Sequence, residues 1–196
     1  MIIVGLTGSI GMGKTTTAKM FKAAGAAVFD ADAAVHELYA KGGAAVPILR
    51  AGVPEAIIDG TVDRKKLSAA LAKDPLLYGV LESFIHPLVA KMRAAALENA
   101  RAEGKRVFVN DIPLLFETGG EAHVDVVVVA HASAKLQRER VLARPNMSAA
   151  KFKAILARQM PSAQKLKRAN YGVNTGKGLA FARERVQFIM DELTKT

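Results

Sequence analysis

The stretch Ile2-Ile3-Val4-Gly5-Leu6-Thr7-Gly8-Ser9-Ile10-Gly11-Met12-Gly13-Lys14-Thr15 decides how the chain is read. Gly8, four residues, then Gly13-Lys14-Thr15 is the spacing of a phosphate-binding loop, set here between an apolar strand and a helical pattern. Glycines let the backbone curl until successive amides point inward and make a nest for an anion. The helix that starts near Lys14 adds the positive end of its dipole to the same place. Gly8, Ile10, Gly11, Met12, Gly13, Lys14, Thr15 and Thr16 are therefore the candidate nucleotide contacts. In such a loop Lys14 reaches the β- and γ-phosphates and the Thr15 hydroxyl meets Mg²⁺.

Two other readings compete for this stretch. A dinucleotide fingerprint would use Asp30, about 20 residues on at the end of a second strand. Gly8, Gly11 and Gly13 are not spaced for it, and it gives a lysine after the last glycine no task. A glycine-rich turn with a solvated lysine explains the composition but not the strand before and the helix after. The spacing points to a nucleoside triphosphate.

Outward from the loop, the spacing predicts a helix from Lys14 to about Ala24, stopped by Gly25. A strand over Ala26–Phe29 ends at Asp30-Ala31-Asp32, and a helical stretch runs on to Lys41, where Gly42-Gly43 breaks it. From there to about residue 104 the pattern is helix upon helix with no clear strand. Asp63 and Asp74-Pro75 read as helix starts, His86-Pro87 as a break, and Leu88–Ala102 as a long helix before Gly104. Apolar β-branched runs at Arg106–Asn110 and Val124–Ala130 suit strands buried on both faces. Ser133 and Ser148 cap two basic helices, Ala134–Ala143 and Ala149–Met160. A short strand over Asn170–Asn174 precedes a last helix from about Leu179, whose Ala182, Val186, Ile189, Met190 and Leu193 form a packing stripe. Strands alternating with helices imply an α/β fold with a parallel sheet.

The composition narrows the class. The chain has 196 residues, 51% of them hydrophobic, enough for one α/β domain with an appended lobe. No apolar run reaches the ~18–20 residues of a membrane span, and no basic segment precedes the first strand. Without cysteine, disulfides and thiolate metal sites are excluded. A cytoplasmic protein of bacterial type, monomeric or weakly oligomeric, is expected. Lys plus Arg number 28 against 18 for Asp plus Glu, a net charge of +10. Nucleic acid is one partner for such a surface. Aromatics make up only 6% with no Trp, so no base-stacking platform is present, and the basic residues are spread over several helices. Small phosphorylated molecules steered to a basic cleft are the expected partners.

In a parallel sheet ligands gather at the carboxyl ends of the strands. The loop, Asp30 and Asp32, Asp111 and the region after the fourth strand all fall there. A phosphoryl transferase needs a triphosphate cradle, Mg²⁺, a carboxylate at the acceptor hydroxyl and cations on the moving group. Asp32 can accept the acceptor proton, or it can cap the helix beginning at Ala33. Asp30 can do the same work or reach Mg²⁺ through water. Asp111 sits where a metal-supporting carboxylate belongs, or caps a turn before Pro113. Arg140 and Arg144 are four apart and share a helix face, suiting them to close over phosphates. Arg138 reads as a solvated cation. His86 reads as a helix-break residue or a substrate contact, and no cluster has zinc-ligand spacing.

Taken together, Gly5 to Thr15, Phe29-Asp30-Ala31-Asp32, His86-Pro87, Ile112-Pro113-Leu114-Leu115-Phe116-Glu117, the Gln137, Arg140 and Arg144 set, and Val173-Asn174-Thr175-Gly176 resemble the dephospho-CoA kinases over nearly the whole chain. The resemblance implies the fold of phosphate-loop (P-loop) nucleotide kinases: a five-stranded parallel sheet flanked by helices, with core segments 1–32, 105–132 and 168–196. It also implies a helical CoA lobe over about 33–104 and a lid over about 133–165. The implied reaction is transfer of the ATP γ-phosphoryl group to the ribose 3′-hydroxyl of dephospho-CoA. By position, Asp32 orients or activates that hydroxyl, Lys14 and Arg140 hold phosphates, and Thr15 holds Mg²⁺, with Asp111 in reach through water. Arg144 and Asn174 fall to the nucleotide; Asp30, His86, Pro113 and Leu114 fall to the acceptor. The chain departs from the family pattern at Met12, where Ser is usual, and at Pro145-Asn146 and Asn170, where Asp is common.

The alternatives are another small-molecule or nucleoside kinase of this architecture, a nucleotide-driven switch, and a nucleic-acid binder. A guanine-reading switch needs Asn-Lys-x-Asp, and Asn174-Thr175-Gly176-Lys177 lacks the Asp.

Overall fold

The computed structural model describes residues 1–195, so the expected core segment 168–196 ends on one residue, Thr196, that lies outside them. The order is β1 (Ile2–Thr7), α1 (Lys14–Ala23), β2 (Ala27–Asp30), α2 (Ala31–Tyr39), α3 (Val46–Gly52), β3 (Ile57–Ile58), β4 (Thr61–Val62), α4 (Arg64–Lys73) and α5 (Pro75–Ala102). There follow β5 (Val107–Asp111), β6 (Val126–His131), α6 (Ala134–Leu142), α7 (Ala149–Leu156), α8 (Ser162–Arg168), β7 (Tyr171–Asn174) and α9 (Leu179–Thr194). Two compact units result: Met1–Phe29 with the segment from Asn99 onward, and Asp30–Glu98.

The first unit is built on a five-stranded parallel sheet in the order β2-β5-β1-β6-β7. β1 pairs with β5 through Ile2↔Val107 to Leu6↔Asp111, and with β6 through Val4↔Val126 to Thr7↔Val129. Central strands lie between helices, so both faces of β1, β5 and β6 are apolar. Val4, Leu6, Val107, Val109 and Val128 are buried with Phe21 of α1 and Ala182, Val186 and Ile189 of α9. The α9 stripe read from the sequence is thus a packing face. Gly25 closes α1 at φ 98°, a conformation glycine takes without a Cβ clash.

The second unit encloses its own core of Leu38, Val46, Leu49, Val53, Val62, Leu67, Leu81 and Ile85. Here the sequence reading needs two corrections. His86-Pro87 does not break a helix: α5 continues through Pro87. A mid-helix proline costs about 3 kcal/mol, but Leu81, Ile85, Leu88, Val89 and Met92 repeat at helical spacing on both sides and pack on one core. Their burial, at roughly 1.5–3 kcal/mol per fully buried side chain, outweighs the lost hydrogen bond. The stretch is also not all helix, because β3 and β4 form a small antiparallel hairpin. Its turn, Asp59-Gly60, has φ 50° and 79°, and Asp-Gly between β-branched pairs is the local signal for such a hairpin. Asp63 caps α4 by accepting from the Lys65 and Lys66 amides at 2.8 and 3.1 Å, as expected.

Candidate active site

β1 delivers Gly8 to the carboxyl end of the sheet, and the loop runs from there into α1. Gly11 and Gly13 take φ 77° and 86°, the left-handed region that turns successive amides to one side. Neighbours close in on both. A Cβ on Gly11 would lie 2.5 Å from Val141 Cγ2, and one on Gly13 would lie 2.8 Å from Thr175. No side chain caps the start of α1, so its first amides face the loop with the positive dipole end behind them.

The Lys14 ammonium is paired with the Asp111 carboxylate at the end of β5. Asp111 is 2% exposed and Lys14 14%, so water weakens the attraction little. The register accounts for the meeting, because Asp111 lies opposite Leu6, two residues before Gly8. Asp111 is therefore a partner of Lys14 and not merely the cap of a turn before Pro113. Thr15 and Thr16 lie exposed in the first turn of α1. A hydroxyl and a carboxylate are hard oxygen donors of the kind Mg²⁺ takes. Among the described residues no three His, Asp or Glu gather to hold a metal by themselves.

The loop is also braced from behind. The Thr175 hydroxyl donates to the Met12 carbonyl at 2.9 Å, and the Arg140 fork donates to the Thr175 hydroxyl and carbonyl oxygens, each at 2.9 Å. Arg140 is thus placed beside the loop by Thr175, while Arg144 and Arg138 lie exposed. Asn174 accepts from the Gly176 amide at 2.9 Å and shapes that turn. Gln137 donates to the Ile10 carbonyl at 2.7 Å, and the Ile10 amide donates to Gln159 at 3.0 Å. The Met12 side chain is buried, with its sulfur 3.1 Å from the Ala132 amide; it packs the loop as well as lending it backbone. Nothing local in the sequence marks Thr175 as a brace of the loop, or Gln159 as a partner of Ile10.

A buried ion pair anchors the neighbouring segment. Lys165 of α8, fully buried, meets Glu117 at 2.9 Å and donates to the Pro113 carbonyl at 3.2 Å. Burial pushes the Glu117 carboxyl up, but the hydrogen bonds from Lys165 and the Met160 amide outweigh it and hold the group below its ordinary value. Pro113 also accepts from Thr7 at 3.0 Å, while Leu114 is exposed at the turn. The helix α8 was not anticipated, since a lysine among basic neighbours gives no sign that it will be buried. Burial likewise lowers the His131 imidazole. Asn170 accepts from the Val127 amide at 2.8 Å. Asn146 adopts φ 59°, which asparagine tolerates better than most residues.

In the second unit, Asp30 and not Asp32 caps α2, accepting from the Ala33 amide at 3.0 Å. Asp32 stands in the first turn of that helix without the capping task. His86 is exposed on α5, 3.9 Å from Glu82.

The family profile described as dephospho-CoA kinase (CoaE) matches residues 2–180. A dephospho-CoA kinase of Mesorhizobium japonicum is 51% identical over 98% of this chain and 97% of its own length. That of Bradyrhizobium diazoefficiens is 51% identical over 100% and 97%. Among solved structures, a Thermus thermophilus protein superimposes with a TM-score of 0.84 at 32% identity, covering 99% of this chain and 98% of its own. A shikimate kinase from Acinetobacter baumannii shares the fold alone, with a TM-score of 0.53 at 17% identity over 98% and 93%.

Proposed function

The chain belongs to the dephospho-CoA kinase family, and on that premise we propose how its residues divide the work. The reaction is transfer of the γ-phosphoryl group of ATP to the ribose 3′-hydroxyl of dephospho-CoA, the last step of coenzyme A synthesis. The observation that carries the reading is the Lys14–Asp111 pair seated at the mouth of the phosphate loop.

The loop amides and Lys14 bind the β- and γ-phosphates of ATP. Arg140, held at the loop by Thr175, offers its remaining N–H groups to the transferred group, and Arg144 joins it from the same segment. Thr15, with Asp111 through water, holds Mg²⁺, which neutralises phosphate charge when bound. Asp32, free of capping duty, accepts a hydrogen bond from the 3′-hydroxyl and takes its proton as the new P–O bond forms and the bond to ADP breaks. Asp30 fixes the start of α2 and so the aim of Asp32. Asn174 shapes the turn facing the adenine, while His86, Pro113 and Leu114 border the acceptor. In this division of the chain, residues of about 33–104 form the acceptor lobe and about 133–165 the lid. A cytoplasmic setting accords with ATP as donor; no helix among the described residues is long and apolar enough to cross a membrane.

Because shikimate kinase shares the fold, the acceptor is what an experiment must identify. ADP release with ATP and Mg²⁺ is measured against dephospho-CoA, nucleosides, nucleotides and shikimate. Release that depends on dephospho-CoA is expected; release with another acceptor and none with dephospho-CoA refutes the reading.

A further inference from the structure

At the far end of α2 from Asp32 lies a cleft of about 450 Å³, bordered by the Lys41–Pro47 bend, Arg50 of α3 and Gly60 of the hairpin turn. Glycines keep its wall low. Gly42 and Gly60 take φ 80° and 79°, and a Cβ on Gly43 would lie 2.2 Å from the Leu38 carbonyl oxygen. The stem of Lys41 runs beside Gly60, with its Cγ 3.5 Å from where a Cβ would stand. What remains is an apolar lining that includes Val46 and Pro47, with two cations at its edge. Both Lys41 and Arg50 are exposed, and neither forms an ion pair among the described residues. Glu37, Glu55 and Asp59, the acidic side chains near them in the chain, form no ion pair with either among the described residues. An apolar floor edged by two cations outside any ion pair suits an anion joined to an uncharged body.

The helix sets the distance to the chemistry. At 1.5 Å per residue α2 rises about 10 Å between Asp32 and Tyr39, and Lys41 follows two residues later. An acceptor whose ribose 3′-hydroxyl meets Asp32 carries its 5′-diphosphate on the other side of the sugar, and the uncharged pantetheine arm continues from there. We propose that this cleft is the subsite for that diphosphate and the first part of the arm. Lys41 and Arg50 take the phosphates, and Ala44 and Pro47 take the arm. The proposal rests on the acceptor reading above, and it makes the second unit the reader of what lies beyond the nucleoside.

The test is steady-state kinetics of Lys41→Gln/Arg50→Gln against the unaltered enzyme, varying dephospho-CoA and ATP separately. KM for dephospho-CoA is expected to rise about tenfold with kcat and KM for ATP unchanged, the signature of lost uniform binding. Inhibition by 4′-phosphopantetheine should weaken in parallel. The charge-preserving Lys41→Arg/Arg50→Lys variant should restore KM. An unchanged KM for dephospho-CoA overturns the cleft, and so does an equal rise for both substrates, which would report only the general field of a basic protein. If the unaltered enzyme does not phosphorylate dephospho-CoA, the acceptor reading itself falls; if it does and the variants match it, only the cleft is lost.

Discussion

Lys14, the lysine of the phosphate loop, is paired with Asp111, the last residue of β5, across the carboxyl ends of two adjacent strands. The pair orients the ammonium toward the loop before any phosphate arrives. It also ties the loop's stability to a carboxylate buried 97 residues away in the chain.

Lys14→Ala should therefore do two things. Turnover should fall about 10²–10³-fold, as when a charge-stabilising donor is removed from a developing anion. Stability should fall as well, by about 1–3 kcal/mol, because the buried Asp111 carboxyl loses this hydrogen-bond partner. Lys14→Met/Asp111→Asn should recover stability but not turnover. Denaturant midpoints and initial rates on the same samples separate the two effects, and a fully active Lys14→Ala would remove the lysine from its assigned role.

Asp32→Asn should leave ATP binding unchanged while kcat falls about 10²–10⁴-fold, the usual contribution of a positioned proton acceptor. Asp30→Asn should be milder, since asparagine also caps a helix. A kcat for Asp32→Asn equal to that of the unaltered enzyme would show that the hydroxyl loses its proton elsewhere.

Lys165 and Glu117 form a pair whose halves are unequal in burial, 0% and 16% exposed. Glu117→Gln leaves an ammonium inside the protein and should cost about 3 kcal/mol. Glu117→Leu/Lys165→Met removes both charges together and should cost less than either single change. Urea unfolding of Glu117→Gln, Lys165→Met and the double variant checks the order; additive losses would mean that the charges do not act on each other.

Acid should weaken the fold in two stages. Burial holds His131 below the ordinary imidazole value of 6.5, so protonation favours the unfolded chain. That contribution is complete above this value and shrinks as the pH drops beneath it. Glu117 is held below the ordinary 4.5, and its share is lost further down as its carboxyl protonates. Denaturation midpoints from pH 7.5 to 3.5 should decline accordingly, and His131→Gln should abolish the upper stage alone.

Thr175→Val removes the hydroxyl that joins Met12 to Arg140 while keeping its volume. KM for ATP should rise several-fold and the thermal midpoint should shift little, since one partly buried hydrogen bond is worth about 1 kcal/mol. An unchanged KM would show that the loop keeps its shape without this brace.

What the sequence by itself determined was whatever neighbouring residues settle among themselves. Glycine spacing after an apolar run specified the nest, serines and aspartates specified helix starts, and β-branched runs specified the strands of the parallel sheet. Asp59-Gly60 carried equally local information that an all-helical reading passed over. Tertiary structure decided the rest. Pro87 stays inside a helix because an apolar stripe on both sides of it finds a core, which hydrogen-bond chemistry at the proline does not foretell. Asp30, not Asp32, became the cap because the helix began at Ala31, two residues earlier than the pattern placed it. Asp111 met Lys14, Arg140 met Thr175 and Lys165 met Glu117 only because strand register and helix packing carried them together. Charges and hydrogen bonds act over a few ångströms in space, and separation along the chain does not reveal which residues folding will bring that close.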